Sequence, residues 1–291
     1  MPPFSDEPIA PPTVEAALRW AAEWLRAATD SPRLEAEILL ASLLGMSRAT
    51  LFAHPEAELE PVERRTYAQW VMERAAHRPL PYITGEVEFY GLRFAVSEAV
   101  LIPRPETELL VEVALAWLAH HPQAVGADAC TGSGCIAATL ARFEPGVHFC
   151  ATDISMEALQ VAQANVRWLR VEERVHLVQG DLLTMCRRPL DFIFSNPPYV
   201  ATGEWEKLPP SVRREPPVAL LGGPDGLEVV RRLLAQAARC LRPGGLLLVE
   251  VGAEQGEAVL AMAQRHFPRS AIRMLRDLAD RPRLLRVDRR A

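Results

Sequence analysis

Asn196-Pro197-Pro198-Tyr199 closes an apolar, strand-like run, Leu190-Asp191-Phe192-Ile193-Phe194-Ser195. These four residues concentrate hydrogen-bond acceptors. The Asn side-chain carbonyl accepts, and a proline has no N–H, so its carbonyl can face a ligand without a competing donor. Such a site suits a planar –NH2 group. One N–H goes to the Asn196 oxygen, the other to a backbone carbonyl such as that of Pro197, and Tyr199 lies against the flat face. With both N–H bonds held, the out-of-plane electrons of the nitrogen point at an incoming electrophile. That is the geometry required for N-methylation of an amide or an exocyclic amine.

Upstream, Thr131 opens a small-residue loop, and Gly132-Ser133-Gly134-Cys135-Ile136-Ala137 fits the G-x-G-x-x-G/A pattern. Small residues let a backbone approach a ligand at a helix N-terminus, and a carboxylate at the next strand end holds ribose hydroxyls. Asp153 occupies that second position. The pattern serves NAD and S-adenosylmethionine equally, because both present a ribose there. The Asn196–Tyr199 turn separates them: a methyl donor needs a nucleophile held opposite it, and hydride transfer has no use for the cradle. Gly180-Asp181-Leu182 adds a polar and an apolar side chain where an adenine would lie.

The elements that position these residues follow from periodicity. Residues 13–77 carry helical spacing only. Thr13 opens a helix with Leu18, Ala21, Ala22 and Leu25 on one face; Ser31-Pro32 opens a second that Gly45 ends; Pro61 opens a third carrying Tyr67, Trp70 and Val71. Arg78-Pro79-Leu80-Pro81 is expected to break helical structure and mark a boundary. Two β-prone runs around Gly91 predict a hairpin, so residues 1–78, 79–100 and 101–291 are expected to be a helical domain, a hairpin linker and a catalytic domain. From Ala124 onward strands and helices alternate, which predicts a mostly parallel α/β sheet with helices on both faces.

Bulk properties limit the alternatives. Apolar residues make up 49 %, enough for a sizeable core, yet no run approaches a membrane span. Met1–Glu7 is acidic and Pro-rich, unlike a signal peptide. Five cysteines without a Cys-x-x-Cys pair read as free thiols in a reducing cytoplasm, and the histidines show no metal-ligand spacing, so no metal site is expected. The net charge of −5 argues against broad nucleic-acid binding, and nothing calls for an obligate assembly, so a monomer is expected.

The chain resembles the HemK/PrmC family along nearly its whole length. The likeness rests on Pro81-Tyr82-Ile83-Thr84-Gly85, Glu88–Leu92, Arg104-Pro105-Glu106-Thr107-Glu108, the glycine loop, Thr152–Ser155 and Asn196–Tyr199. It extends through Glu215–Leu220, Gly222–Leu227 and Glu250–Gln255. The resemblance implies a class I S-adenosylmethionine-dependent methyltransferase: a Rossmann-like seven-stranded sheet, last pair antiparallel, behind a small all-α domain that docks a protein substrate. It implies methylation of the side-chain amide nitrogen (N5) of the glutamine in the Gly-Gly-Gln loop of class-1 peptide chain release factors, with S-adenosyl-L-homocysteine as product. A ribosomal-protein glutamine is the alternative substrate, and a flipped DNA adenine is a more distant one. The implied cofactor contacts are Cys130, Thr131, Gly132, Ser133, Gly134, Asp153, Asp181, Leu182 and Asn196; the implied substrate contacts are Asn196, Pro197, Pro198 and Tyr199. Cys130 stands where the family's Asp-Leu-Gly-Thr-Gly run carries glycine, and its side chain is expected to crowd the methionine portion of the cofactor.

Overall fold

Three long helices form where the apolar spacing predicts them, and two short ones form where it does not. The computed structural model describes residues 8–290; Met1–Glu7, expected not to be a signal peptide, and Ala291 lie outside the described residues. Helix α1 spans Val14–Leu25, and α2 spans Pro32–Leu44 and stops at Gly45 in the left-handed conformation. The unforeseen α3 (Arg48–Ala53) is nucleated by Ser47, whose hydroxyl accepts from Thr50 N at 3.1 Å. Helix α4 spans Pro61–Ala75, and α5 (Leu80–Thr84) forms where a break was expected. Pro81 sits in the first turn of α5, where a missing N–H costs nothing.

Leu18, Leu25, Leu39, Leu40, Tyr67 and Val71 form the core of this helical unit, and Ile83 of α5 packs into it. Each such buried aliphatic side chain contributes about 1.5–3 kcal/mol. The Tyr67 hydroxyl donates to Ala36 O at 2.9 Å, which satisfies the one polar atom that its burial would otherwise strand. The unit runs to Gly85 and takes in Pro210–Arg214. The boundary therefore falls later than Arg78.

The second unit begins with the hairpin β1 (Glu86–Phe89) and β2 (Leu92–Ala95). Tyr90 and Gly91 at its tip both have positive φ, 51° and 71°, as a two-residue hairpin turn demands. The hairpin is no free-standing link. Phe89 and Phe94 meet edge to face at 6.0 Å and belong to the core of this unit. After a 3₁₀ turn at Pro105–Thr107 come α6 (Glu108–Leu118), β3 (Val125–Ala129), α7 (Cys135–Phe143), β4 (His148–Asp153) and α8 (Met156–Trp168). Then follow β5 (Val175–Gln179), β6 (Leu190–Ser195), the unforeseen α9 (Pro217–Leu220) and α10 (Glu228–Cys240). The chain closes with β7 (Leu241–Glu250), α11 (Gly256–His266), β8 (Ala271–Arg276) and β9 (Pro282–Asp288).

The seven-stranded sheet has the order β5-β4-β3-β6-β7-β9-β8, with β9 antiparallel to both neighbours, as expected for the class I methyltransferase fold. The chain winds outward from β3 to β5 and then returns to lay β6 beside β3. That reversal opens a crevice at the strands' C-terminal ends, where an open α/β sheet binds ligands. Both faces of β6 are buried: Phe192 and Phe194 join one core with Phe149, while Ile193 joins the other with Leu247 and Val249.

Three of the C-terminal arginines have partners within the unit. Arg286 holds Asp288 at 2.8 Å, Arg283 faces Asp277, and Arg289 donates to Ala238 O at 2.7 Å.

Asn165 of α8 ties the hairpin to the glycine loop. Its Nδ2 donates to Ala95 O at 3.0 Å and Ser133 O at 2.9 Å, and its Oδ1 accepts from Ala95 N at 2.7 Å. Asn165→Ala strands the buried Ser133 carbonyl and removes the two bonds to exposed Ala95, and is expected to cost about 2–4 kcal/mol. Chemical denaturation of the variant checks this, and a loss below about 1 kcal/mol contradicts the tie.

Candidate active site

A cavity of about 390 Å³ opens at the C-terminal ends of β3, β4, β5 and β6. That size is in the range of small-molecule and cofactor sites. Its wall includes Cys130, Thr131, Gly132, Ser133, Asp153, Asp181, Leu182, Asn196 and Pro198. Gly134, Pro197 and Tyr199 are not among the lining residues. Gly134 serves helix packing instead: its φ is +78°, and a Cβ there would lie 3.2 Å from Ala162 Cβ, so α7 settles closely on α8.

The loop between β3 and α7 is pinned from below. Thr131 N donates to Thr152 O at 2.9 Å, and the Thr131 hydroxyl donates to Asp128 Oδ2 at 2.6 Å. Burial pushes the Asp128 carboxyl up to about 7, and its Oδ1 is buried without a hydrogen-bond partner among the described residues. Asp153 Oδ2 accepts from Gly132 N at 2.9 Å and Oδ1 from Ser155 N at 3.0 Å. Burial raises the Asp153 pKa while these backbone donors oppose it. The Asp153 carboxylate, at the end of β4 and on the cavity wall, fits a ligand that presents ribose hydroxyls.

The remaining wall comes from segments to which the sequence reading assigned no cofactor contact. Arg232 of α10 pairs with Asp181, and Val229 and the Pro217–Ala219 turn of α9 also line the cavity. Facing them are Ala99, Val100, Leu101 and Pro103. Glu215 joins these two stretches. It is 2 % exposed, accepts from Ile102 N at 3.0 Å and pairs with Arg104. It is a buried brace between them. Glu108, the last residue of the Arg104–Glu108 motif, accepts from Tyr90 N at 2.8 Å and so holds the hairpin tip.

At the inner end, Asn196 Nδ2 donates to Thr107 Oγ1 at 3.1 Å, and that hydroxyl donates to Glu250 Oε2 at 2.7 Å. Burial pushes the Glu250 carboxyl up to about 7. The turn beyond Asn196 is clamped by the segments that follow it in sequence. Gln255 Nε2 donates to Tyr199 O at 2.8 Å, and Gly222 N donates to Val200 O at 2.9 Å. Gly226 must lack a side chain: at φ +72° a Cβ would stand 2.3 Å from Tyr199 O. Burial also raises the Tyr199 phenol pKa, with Glu250 adding to the effect.

Cys130 has φ +60°, a left-handed conformation that costs a residue with a side chain about 1–2 kcal/mol. Glycine relieves that cost but loses about 0.5–1 kcal/mol in unfolded-chain entropy. Cys130→Gly is therefore expected to leave stability unchanged or raise it by up to about 1 kcal/mol. Cys130→Val, β-branched at the same φ, is expected to lose at least about 2 kcal/mol. Denaturant titration of the pair reads the difference, and a Gly variant less stable than the Val variant would refute the strain argument.

Comparison with known proteins gives a consistent picture. Residues 16–85 match the PrmC N-terminal domain family, and residues 106–208 match the methyltransferase small domain family. A release factor glutamine methyltransferase of Moorella thermoacetica is 46 % identical over 262 residues, covering 90 % of this chain and 93 % of its own. One from Koribacter versatilis is 46 % identical over 244 residues, covering 82 % and 86 %. Among solved structures, the hMettl16 catalytic domain in complex with a MAT2A 3'UTR hairpin superposes with TM-score 0.56 at 21 % identity, over 74 % of this chain and 81 % of that one. A methyltransferase from Pyrococcus furiosus reaches 0.52 at 18 % identity, over 70 % and 91 %, and both likenesses carry the fold alone. With the two relatives matching from the helical unit through the Asn196 turn, the chain belongs to the release factor glutamine methyltransferase family.

Proposed function

We propose that the protein methylates the side-chain amide nitrogen (N5) of the glutamine in the Gly-Gly-Gln motif of class-1 peptide chain release factors, with Asn196, Pro197 and Tyr199 as the residues that hold the amide. The observation that carries the site is the orientation of Asn196. Its Nδ2 is committed to Thr107 at 3.1 Å, which leaves Oδ1 as an acceptor at the cavity wall. The S-adenosyl-L-methionine bound by the 130–134 loop, Asp153, Asp181 and Leu182 supplies an electrophilic methyl group on a sulfonium.

An amide nitrogen is a poor nucleophile because its electron pair is delocalised into the carbonyl. Asn196 Oδ1 takes one N–H of the substrate and the Pro197 carbonyl takes the other, so the nitrogen's electrons face the methyl group. Both acceptors gain strength as the nitrogen becomes positive, which stabilises the transition state more than the ground state. Fixing the reacting groups contributes about 7–11 kcal/mol in favourable intramolecular cases. Tyr199 packs on the flat face of the amide, and Pro198 completes the wall. The extra proton of the alkylated nitrogen is acidic and passes to water.

Helices α1–α5 dock the release factor. The enzyme works as a cytoplasmic monomer, and a net charge of −5 argues against broad binding of DNA.

The test is a methyl-transfer assay with labelled S-adenosylmethionine, a purified class-1 release factor and its Gly-Gly-Gln→Gly-Gly-Ala variant, with mass spectrometry of the loop peptide. One added methyl on the glutamine, absent from the variant, is expected. Asn196→Ala is expected to abolish transfer while cofactor affinity stays within about tenfold. Near-normal turnover in that variant removes Asn196 from its role.

A further inference from the structure

We infer that Thr107 and Glu250 are positioning residues that fix which end of the Asn196 amide faces the substrate. The inference rests on the reading of Asn196 Oδ1 as the acceptor of a substrate N–H. The oxygen and the NH2 of an asparagine side chain are nearly the same size, so shape alone does not decide between them. A half-turn of the amide would present a donor to the substrate's own –NH2, and the cradle would repel what it must hold. The choice has to be made by a hydrogen-bond partner of defined polarity.

Thr107 is that partner, and Glu250 defines its polarity. An ionised carboxylate only accepts, so the single hydroxyl proton of Thr107 is committed to Glu250 Oε2 at 2.7 Å. The Thr107 oxygen can then only accept, and what it accepts is Asn196 Nδ2–H at 3.1 Å. Thr107 is 2 % exposed and Glu250 1 %, so bulk water does not substitute for either bond. The three groups come from the 3₁₀ turn before α6, the end of β6 and the end of β7. They meet only in the folded unit.

The relay depends on the charge of Glu250. Arg283 of β9 and Arg104 favour its ionised form, Glu106 opposes it, and the Tyr199 phenol also faces it. Burial outweighs these and pushes the carboxyl up to about 7. A raised pKa means that the group is neutral below about 7 and charged above it. A neutral Glu250 can donate its proton to Thr107 Oγ1. The hydroxyl proton is then free to reach Asn196 Oδ1, and the amide is no longer held one way. Turnover is therefore expected to rise with pH through about 7.

The experiment measures kcat and KM for methyl transfer to a purified class-1 release factor, with cofactor affinity by calorimetry. Thr107→Val keeps the shape and removes the hydroxyl. It is expected to lower kcat by about 100-fold, the scale of a misplaced reacting group, with cofactor affinity nearly unchanged. Thr107→Ser is expected to recover most of that loss. Glu250→Gln is expected to lose the rise of kcat with pH that the unsubstituted enzyme shows. Two results overturn the inference. One is normal kcat in Thr107→Val. The other is an undiminished pH rise in Glu250→Gln, which would assign the limb to Asp128, whose carboxyl is also pushed up to about 7. If Thr107→Val does not fold, the pH profiles of the unsubstituted enzyme and Glu250→Gln decide the matter by themselves. Asn196→Ala separates the two levels. Normal turnover there sinks the underlying reading; lost turnover there with normal Thr107→Val sinks this inference alone.

Discussion

Asn196 lies just past the end of β6, where Thr107 rather than the sheet holds its side chain. The role proposed for the Asn196–Tyr199 turn needs acceptors that the protein leaves unpaired and yet keeps rigid. Most of the unusual features around β6 answer this one constraint. Proline at 197 and 198 removes N–H groups that would need partners of their own. Gln255 holds the Tyr199 carbonyl at 2.8 Å, and Gly226 lets the backbone pass close enough for the clamp to form. The segments Gly222–Leu227 and Glu250–Gln255 lie far along the chain from the turn, yet they serve it.

A second constraint comes from the winding of the sheet. Because β6 returns beside β3, the glycine loop and the Asn196 turn emerge from adjacent strands, with Ala129 opposite Ser195 in the register. The Ser195 hydroxyl donates to Ala129 O at 2.7 Å and locks that register at the point of use. In the proposed function, topology thus brings a methyl donor over β3 beside a nucleophile over β6. Local geometry has only to refine the approach, which is where effective concentration becomes a rate.

The parts legible in the sequence are those with a local signature. Strands β5 and β6, the glycine loop and the Asn196 turn each carry their pattern within a few residues, and all of them lie where that pattern predicted. Helices α3, α5 and α9 have no more than six residues each, too short for helical periodicity to register. The proline in α5 reads as a breaker until its place in the first turn is known. Pairings across the fold leave no local trace at all. Thr107 meets Glu250 across a separation of 143 residues, and Glu215 meets Ile102 across 113. Arg232 reaches the cavity wall from a helix whose own pattern is simply amphipathic. Thr107, Glu250, Glu215 and Arg232 are all polar, and the first three are buried. A buried carboxylate is the kind of feature that burial reveals and composition does not.

Cys130 shows the same division from the opposite side. The resemblance marks it as a departure from glycine, which sequence alone presents as a question of bulk against the cofactor. Its φ of +60° adds a backbone cost that is independent of any ligand. The neighbouring bonds explain how the chain bears it: Thr131 is held at both its N–H and its hydroxyl, and Gly132 N is held by Asp153. With the residues after Cys130 anchored on two sides, the left-handed step has no room to relax. The loop's shape therefore belongs to its anchors, Asp128, Thr152 and Asp153, more than to the residue that makes the turn. Asp153 does double duty in this arrangement. One carboxylate oxygen fixes the Gly132 amide and the residue also lines the cavity, so in the proposed function the shape of the loop and cofactor binding rest on the same side chain.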